Sequence, residues 1–162
     1  MLKHGWRWFA LALGIAAADQ LTKWLVLTRF TPGERLEVTG FFNLVLAFNK
    51  GAAFSFLAAE SGWQAPALAL FSLVAAIVVS VMIVRSPGRR LLCMALTLVL
   101  GGAVGNLVDR VRLGYVVDFL DFHAAGWHFA AFNLADSAIS VGAVLLILES
   151  FVGGKKNSGE YP

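Results

Sequence analysis

Long apolar stretches separated by short polar joints dominate the chain. They lie at about residues 8–27, 66–84, 91–108 and 129–152. Each stretch matches the roughly 20 residues that an α-helix needs to cross the hydrocarbon core of a bilayer. The joint at 85–90 holds proline, glycine and three cations, so it predicts a tight turn between antiparallel neighbours. We therefore predict an all-α membrane domain over 1–152 with four transmembrane helices, followed by a disordered tail at 153–162.

The segment at 28–65, between the first two apolar stretches, carries a second pattern. Aromatic-rich runs at 41–48 and 52–56 flank the sequence Asn49-Lys50-Gly51. This arrangement predicts a β-hairpin in which Gly51 occupies a turn position with positive φ. The apolar character of both runs predicts that this small β element lies on the membrane surface.

Composition agrees with a membrane location. The chain is 59% hydrophobic and 14% charged, whereas a soluble domain has about 25% charged residues. A soluble enzyme is therefore excluded. A cleavable signal peptide at the N-terminus is disfavoured, because the apolar character of the first stretch continues through 24–27.

The basic residues indicate the orientation of the chain. A net charge of +3 would suit nucleic acid, but lysine and arginine form no stripe, and we predict no nucleic-acid partner. Segments 1–7, 85–90 and 153–162 hold seven cations in 23 residues, against five in the 58 residues of segments 28–65 and 109–128. By the positive-inside rule, both termini are cytoplasmic and the longer segments face the periplasm or the exterior.

Polar side chains collect near the outer ends of the predicted spans. An ionisable group at the centre of a spanning helix costs about 2.5–3.5 kcal/mol to insert, so polar groups in or near a span need an explanation. They are Asp19, Lys23, Asn106, Arg110, Asp118, Asn133 and Asp136. Structural explanations exist for some of them: Asp19 and Lys23 are spaced for an ion pair on one helix face. Asp136, near a helix start, would be stabilised by the helix dipole. Asp118 is harder to explain, because it lies in an extended apolar run.

Asp118 and Asp136 are 18 residues apart, which is enough for a loop that brings them together. Two carboxylates in contact cannot both ionise easily, so one of them takes up a proton. Such a pair has one group to activate water and one to act as an acid, which is the chemistry of aspartic peptide hydrolysis.

Other chemistries have little support. The single cysteine, Cys93, cannot form an intrachain disulfide and is predicted to be a small buried apolar residue. The three histidines include no His-Glu-x-x-His pairing, so we predict neither a metal site nor a cofactor.

Five blocks of sequence together resemble the lipoprotein signal peptidase (signal peptidase II) family, over about residues 14–150. They are Asp19–Lys23, Asn49–Phe54, Gly101–Arg110, Val116–Phe119 and Phe132–Ile139, in the order typical of that family.

The resemblance implies an inner-membrane aspartyl endopeptidase of bacteria that cuts a prolipoprotein just before its diacylglyceryl-modified cysteine. Asp118 and Asp136 match the catalytic aspartates of the family. Its site-shaping or substrate-contacting positions correspond to Asn49, Gly51, Asn106, Arg110, Asn133, Asp19 and Lys23. The family further implies a small sheet on the membrane surface, with the acyl chains of the substrate remaining in the membrane lipid.

Two other classes of function remain open on the sequence. A small proton-coupled transporter would also carry intramembrane acids, although here the acids cluster at one level. A non-catalytic membrane scaffold would use polar groups to hold helices together, which leaves Asp118 unexplained. The oligomeric state has no signature in the sequence.

Overall fold

A computed structural model of the protein describes residues 5–51 and 63–154. Its four long helices are α1 (Trp6–Arg29), α2 (Gln64–Arg85), α3 (Arg90–Leu113) and α4 (Leu134–Gly154). Each contains a window long and apolar enough to cross a membrane. The predicted fold class, four spanning helices with a small β element, is confirmed.

Helix α3 lies at the centre of the bundle and packs against each of the other three helices. In its apolar window 61% of the residues are buried, against 17–28% in the other helices. Glycines permit this packing: a Cβ atom added at Gly101 would lie 2.7 Å from Ile15, and one added at Gly102 would overlap the carbonyl oxygen of Ala135. Helix α3 therefore meets α1 and α4 almost backbone to backbone.

A four-stranded antiparallel sheet lies against the end of the bundle. Its strands follow the order β1 (Arg35–Thr39), β2 (Phe42–Asn49), β3 (Val116–Ala124) and β4 (Trp127–His128). Val117 and Phe119 of β3 pack with Leu46 of β2 and Val26 of α1 in one buried cluster. This cluster joins the centre of the sheet to the helices.

The predicted hairpin is confirmed only in its first arm. The aromatic run at 41–48 forms β2, and Gly51 has the expected positive φ, at +100°. The second arm, at 52–56, lies outside the described residues. The described partners of β2 are β1 and β3, and Asn49 is paired in register with Val116.

Two helix boundaries differ from the predicted spans by more than two residues. Helix α3 continues past 108 to Leu113 and ends at Gly114, whose φ is +78° and whose N–H donates to the carbonyl of Arg110. Helix α4 begins at Leu134 rather than at 129, because the preceding backbone pairs with the sheet: the N–H of Phe132 donates to the carbonyl of Leu120. Apolarity alone does not distinguish such a strand-like entry from a helix.

The predicted tail at 153–162 also differs in part. Residues 153 and 154 continue α4, and the remaining residues lie outside the described part of the chain. Cys93 is buried, as predicted, and its thiol donates to the carbonyl of Ser86 at 3.2 Å.

The close contact at Gly102 generates a stability prediction. A methyl group there must push α4 away from α3, and overpacking of this kind costs about 1–3 kcal/mol. We expect Gly102→Ala to lower the thermal unfolding midpoint in detergent micelles. The matched control is Gly14→Ala on α1, where an added Cβ meets no atom within 4 Å. Equal midpoints for the two variants would contradict the proposed role of the close contact.

Candidate active site

Asp118 is held at the third position of β3, and its carboxylate is buried. The side chain is 2% exposed. Its Oδ1 accepts a hydrogen bond from Asn133 Nδ2 at 2.7 Å, and its Oδ2 accepts one from Asn49 Nδ2 at 3.0 Å. Two amides from neighbouring elements thus fix both oxygens of the carboxylate.

Asp136 is held in the first turn of α4 by a reciprocal cap. Its N–H donates to Asn133 Oδ1 at 2.9 Å, while its Oδ2 accepts from the N–H of Asn133 at 3.3 Å. This is the geometry of a capping box, with an aspartate in place of the usual glutamate. The second oxygen, Oδ1, accepts from Asn106 Nδ2 at 2.7 Å. Asp136 does lie at a helix start, where its carboxylate is stabilised, as the structural explanation predicts. That explanation does not account for the hydrogen bond from Asn106.

Asn133 links the two aspartates. Its amide nitrogen donates to Asp118, while its amide oxygen and backbone N–H engage Asp136. Asn133 is itself fully buried, and Asn106 Oδ1 lies 3.2 Å from the same amide nitrogen. Two carboxylates from distant parts of the chain therefore meet at one asparagine.

The pKa of Asp118 is raised to about 6. Burial is the largest cause, because the charged form loses its hydration. The hydrogen bond from Asn49 opposes this effect, whereas the negative charge of Asp136 adds to it. With this pKa the carboxyl of Asp118 is about half protonated at pH 6 and roughly one-tenth protonated at pH 7.

Asp121 shows what the same strand does to a carboxylate outside the pair. It is also buried, but Asn43 Nδ2 donates to it at 2.8 Å and His128 Nδ1 lies 3.0 Å away. Although burial raises the pKa of Asp121, these contacts and the charge of Arg35 outweigh it, so that its pKa lies below the ordinary value. The two carboxyls therefore differ because no such set of contacts offsets the burial of Asp118, to which the charge of Asp136 adds.

Beneath the pair lies a buried network around Lys23. Its ammonium contacts Asp19 Oδ2 and Asp109 Oδ2, each at 2.8 Å, and donates to Asn106 Oδ1 at 3.0 Å. The predicted ion pair between Asp19 and Lys23 is thus present, as one side of a larger network. Gln20 also belongs to it, and its Nε2 donates to Asp109 Oδ1 at 2.8 Å.

Arg110 and Gly51 lie at the rim of the site. Arg110 donates to Ser72 Oγ on α2 at 3.2 Å, and its charge interacts with those of Asp118 and Asp136. The N–H of Gly51 donates to Asn49 Oδ1 at 2.8 Å, which orients the amide nitrogen of Asn49 toward Asp118. A Cβ atom at Gly51 would lie 2.7 Å from Leu68, and the positive φ also favours glycine there.

Three contributing residues were absent from the predicted set: Gln20, Ser72 and Asp109. Asp109 carried a usable signal, because it is three residues from Asn106 and so shares its side of α3. Gln20 and Ser72 carried none, since a single neutral polar residue within a helix is ordinary. Within residues 5–51 and 63–154, no three histidine, cysteine or carboxylate side chains converge on a metal-sized site.

Sequence comparisons with known proteins match the chain to one family. A family model described as signal peptidase (SPase) II matches residues 11–152. The lipoprotein signal peptidase of Paraburkholderia phytofirmans is 54% identical over 142 residues, which cover 88% of this chain and 83% of that protein. The enzyme of the same name from Janthinobacterium sp. (strain Marseille) is 51% identical, with 88% and 86% covered.

Solved structures agree as well. One, titled as a bacterial membrane enzyme structure obtained by the in meso method at 2.3 Å, has a TM-score of 0.80 at 29% identity and covers 96% of this chain and 93% of its own. A second with the same title, at 1.9 Å, has a TM-score of 0.77 at 29% identity, with 88% and 90% covered. Together with the four membrane-spanning helices, these matches show that the chain belongs to the signal peptidase II family, as a multi-pass bacterial membrane hydrolase of the aspartic peptidase class.

Proposed function

We propose that this protein removes the signal peptide from diacylglyceryl-modified prolipoproteins and cuts just before the lipidated cysteine. The observation that carries the proposal is the meeting of Asp118 and Asp136 at Asn133. The names of the relatives, lipoprotein signal peptidases, supply the substrate class.

In the proposed reaction the two carboxyls share one proton. Asp118 carries it, since its pKa is raised to about 6, and Asp136 acts as the base. Asp136 takes a proton from water as the water oxygen attacks the scissile carbonyl, and Asp118 gives its proton to the carbonyl oxygen. The C–N bond then breaks as Asp136 returns a proton to the leaving nitrogen and the hydroxyl of the intermediate restores the proton of Asp118. The pair titrates as one unit throughout.

The neighbouring polar side chains keep the two carboxyls in their separate roles. Asn49 and Asn133 bind the oxygens of Asp118, and Asn106 binds one oxygen of Asp136. Arg110, anchored on Ser72, is placed to hold a substrate carbonyl or the developing negative charge. Gly51 donates its N–H to Asn49 Oδ1 and so keeps the amide nitrogen of Asn49 directed toward Asp118.

The site would face the periplasm from the inner membrane, with both termini cytoplasmic. The cation distribution of the sequence supports this orientation. The surface of the sheet carries exposed Phe41, Trp127 and Phe129, which suit the membrane interface. The acyl chains of a substrate would then stay in lipid while its peptide reaches the aspartates.

A proton-coupled transporter fits less well. In the described residues the buried acids and Lys23 lie near the last turns of α3, the start of α4 and strand β3. A transport path would require polar groups at successive depths. A scaffold fits poorly too, because two carboxyls joined at one asparagine are costly to bury without a chemical use.

The first prediction concerns the aspartates. Asp118→Asn and Asp136→Asn should each lower the rate of cleavage of a lipidated prolipoprotein at least about 10³-fold, because general acid–base catalysis and water activation are lost together. The measurement is a gel assay in detergent micelles or liposomes. Asp121→Asn, on the same strand, should retain activity. Substantial cleavage by either dyad variant would remove that residue from the proposed pair.

A second prediction concerns stability and pH. Asp118 has an ordinary pKa of 3.8 and a pKa of about 6 in the folded protein. The folded state therefore binds the proton more tightly, and this stabilisation is lost as the pH rises from about 4 to about 6. Two pKa units correspond to about 3 kcal/mol. The unfolding free energy of Asp118→Asn relative to that of the parent should therefore rise by about this amount between pH 4 and pH 7.

The control for this titration is Asp121→Asn. Its carboxyl has a lowered pKa, so its ionised form stabilises the fold; that stabilisation is present above about pH 4 and is lost only at lower pH. The difference in unfolding midpoint between Asp121→Asn and the parent should therefore stay nearly constant from about pH 4 to about pH 7, whereas the difference for Asp118→Asn changes, and unfolding in detergent across this range checks both expectations. Parallel profiles for the parent and Asp118→Asn would contradict the raised pKa.

A third prediction concerns the lipid on the substrate. A precursor that lacks the diacylglyceryl group should be cut at least about 10²-fold less efficiently, because anchoring in the bilayer positions the scissile bond at the aspartates. The comparison uses the same precursor before and after lipidation, in liposomes. Equal kcat/KM values for the two forms would refute the proposed specificity.

A further inference from the structure

The residue before each aspartate of the pair is held in the same way. The N–H of Val117, which precedes Asp118, donates to Asp109 Oδ2 at 3.1 Å. The N–H of Ala135, which precedes Asp136, donates to Asp19 Oδ1 at 2.9 Å. Two buried carboxylates on different helices thus hold the backbone of the two segments that carry the pair.

Lys23 joins these two carboxylates. An ammonium has three hydrogens, and Lys23 places its nitrogen within hydrogen-bond distance of three acceptors: Asp19 Oδ2, Asp109 Oδ2 and Asn106 Oδ1. The side chain is 2% exposed, so water does not compete for these contacts. Lys23 therefore links the support under Asp118 to the support under Asp136.

The third contact of Lys23 reaches the pair directly. Since Asn106 Oδ1 accepts from Lys23, its amide nitrogen is left to donate to Asp136 Oδ1. The orientation of this amide is thus set by a cation that touches neither aspartate of the pair. The backbone of Ala135, through Asp19, and the side chain of Asp136, through Asn106, are both linked to Lys23.

We propose that Asp109 is a positioning residue for Asp118, and that Asp109, Lys23 and Asp19 form a clamp that sets the separation of the two aspartates. This inference rests on the proposed function for its catalytic consequence, but the clamp itself can be measured without turnover. Its distinctive requirement is a buried acceptor for the Val117 amide, which none of the proposed reaction steps uses.

The test compares Asp109→Ala with Asp109→Asn in the full-length protein. Alanine removes the acceptor of the Val117 N–H, so the exchange of that amide with deuterium should accelerate about 10- to 100-fold, the equivalent of a hydrogen bond to a charged group. The Ala135 amide, held by Asp19, should change less than about threefold by the same scale of interaction. Asparagine retains an oxygen for Val117 and should stay near the parent.

Kinetics on a lipidated precursor provide the second measurement. A displaced Asp118 should lower kcat of Asp109→Ala about 10²-fold, with KM within about threefold because the groups that hold the substrate are untouched. Asp109→Asn should recover most of kcat. If Asp109→Ala does not fold, Asp109→Ser carries the same expectation, since serine is too short to reach Val117 but can bond to its own helix.

The matched control is Glu149→Ala. It breaks the ion pair with Arg89, which also joins α3 to α4 but lies at the opposite end of the bundle. It should leave kcat and Val117 exchange unchanged.

Four results would overturn the clamp: unchanged exchange at Val117, unchanged kcat of Asp109→Ala, a loss expressed in KM alone, or an equal loss of kcat in Glu149→Ala. A parent protein that fails to cut the lipidated precursor would refute the proposed function. The exchange arm would still decide whether Asp109 holds β3 in place.

Discussion

The buried ammonium of Lys23 is the interaction on which the rest of the site depends. It lies between two carboxylates in a part of the molecule that water does not reach. A lone charge there would cost several kcal/mol, and removal of one partner from a buried pair is strongly destabilising. The carboxylates are therefore stable there only with the ammonium beside them, and the three groups together tie α1 to α3. The backbone of β3 and the first turn of α4 are then held by carboxylate oxygens that Lys23 has already fixed.

This dependence explains why the sheet and the helices cannot be considered separately. Asp118 lies on a strand and Asp136 on a helix, and their separation is set by how β3 sits against the end of α3 and the start of α4. The apolar cluster of Val26, Leu46, Val117 and Phe119 holds the sheet against α1. Gly102 and Gly105 allow α4 to approach α3 so closely that Asn106 reaches Asp136. The close packing of α3 and α4 therefore helps to set the distance between the two carboxyls.

Much of this architecture could be predicted from the sequence. Four spans follow from apolar length, and the strand around Asp118 follows from an apolar run too short to cross a membrane. The positive φ of Gly51 follows from its turn context. The pairing of Asp118 with Asp136 could be proposed because charged groups are expensive near a bilayer and both lie at the same end of the bundle.

The remainder depends on contacts between distant parts of the chain. The entry to α4 is apolar over 129–132 and has no breaking residue, so only its pairing with Leu120 shows that the helix starts at Leu134. Gln20 and Ser72 have partners 89 and 38 residues away, which local pattern cannot identify. The role of Asp109 requires knowledge that the N–H of Val117 has its acceptor on a helix and not on a strand. From the sequence alone, Asp109 looks like an ordinary polar residue at the end of a membrane span.

The contrast between Asp118 and Asp121 shows what the site requires of its environment. Both carboxyls are buried on one strand, yet Asp121 has a histidine and an arginine beside it and is held ionised. At Asp118 the loss of hydration and the negative charge of Asp136 outweigh the hydrogen bonds from two neutral amides, so its charged form is disfavoured and its pKa is raised. An arginine or lysine in direct contact with Asp118 would stabilise the fold but would remove its proton. The cations of the site are accordingly bound to other groups and not to Asp118: Lys23 donates to Asn106, and Arg110 donates to Ser72. The ionised form of Asp118 is therefore poorly stabilised in the folded protein, and its carboxyl holds a proton up to a pH of about 6.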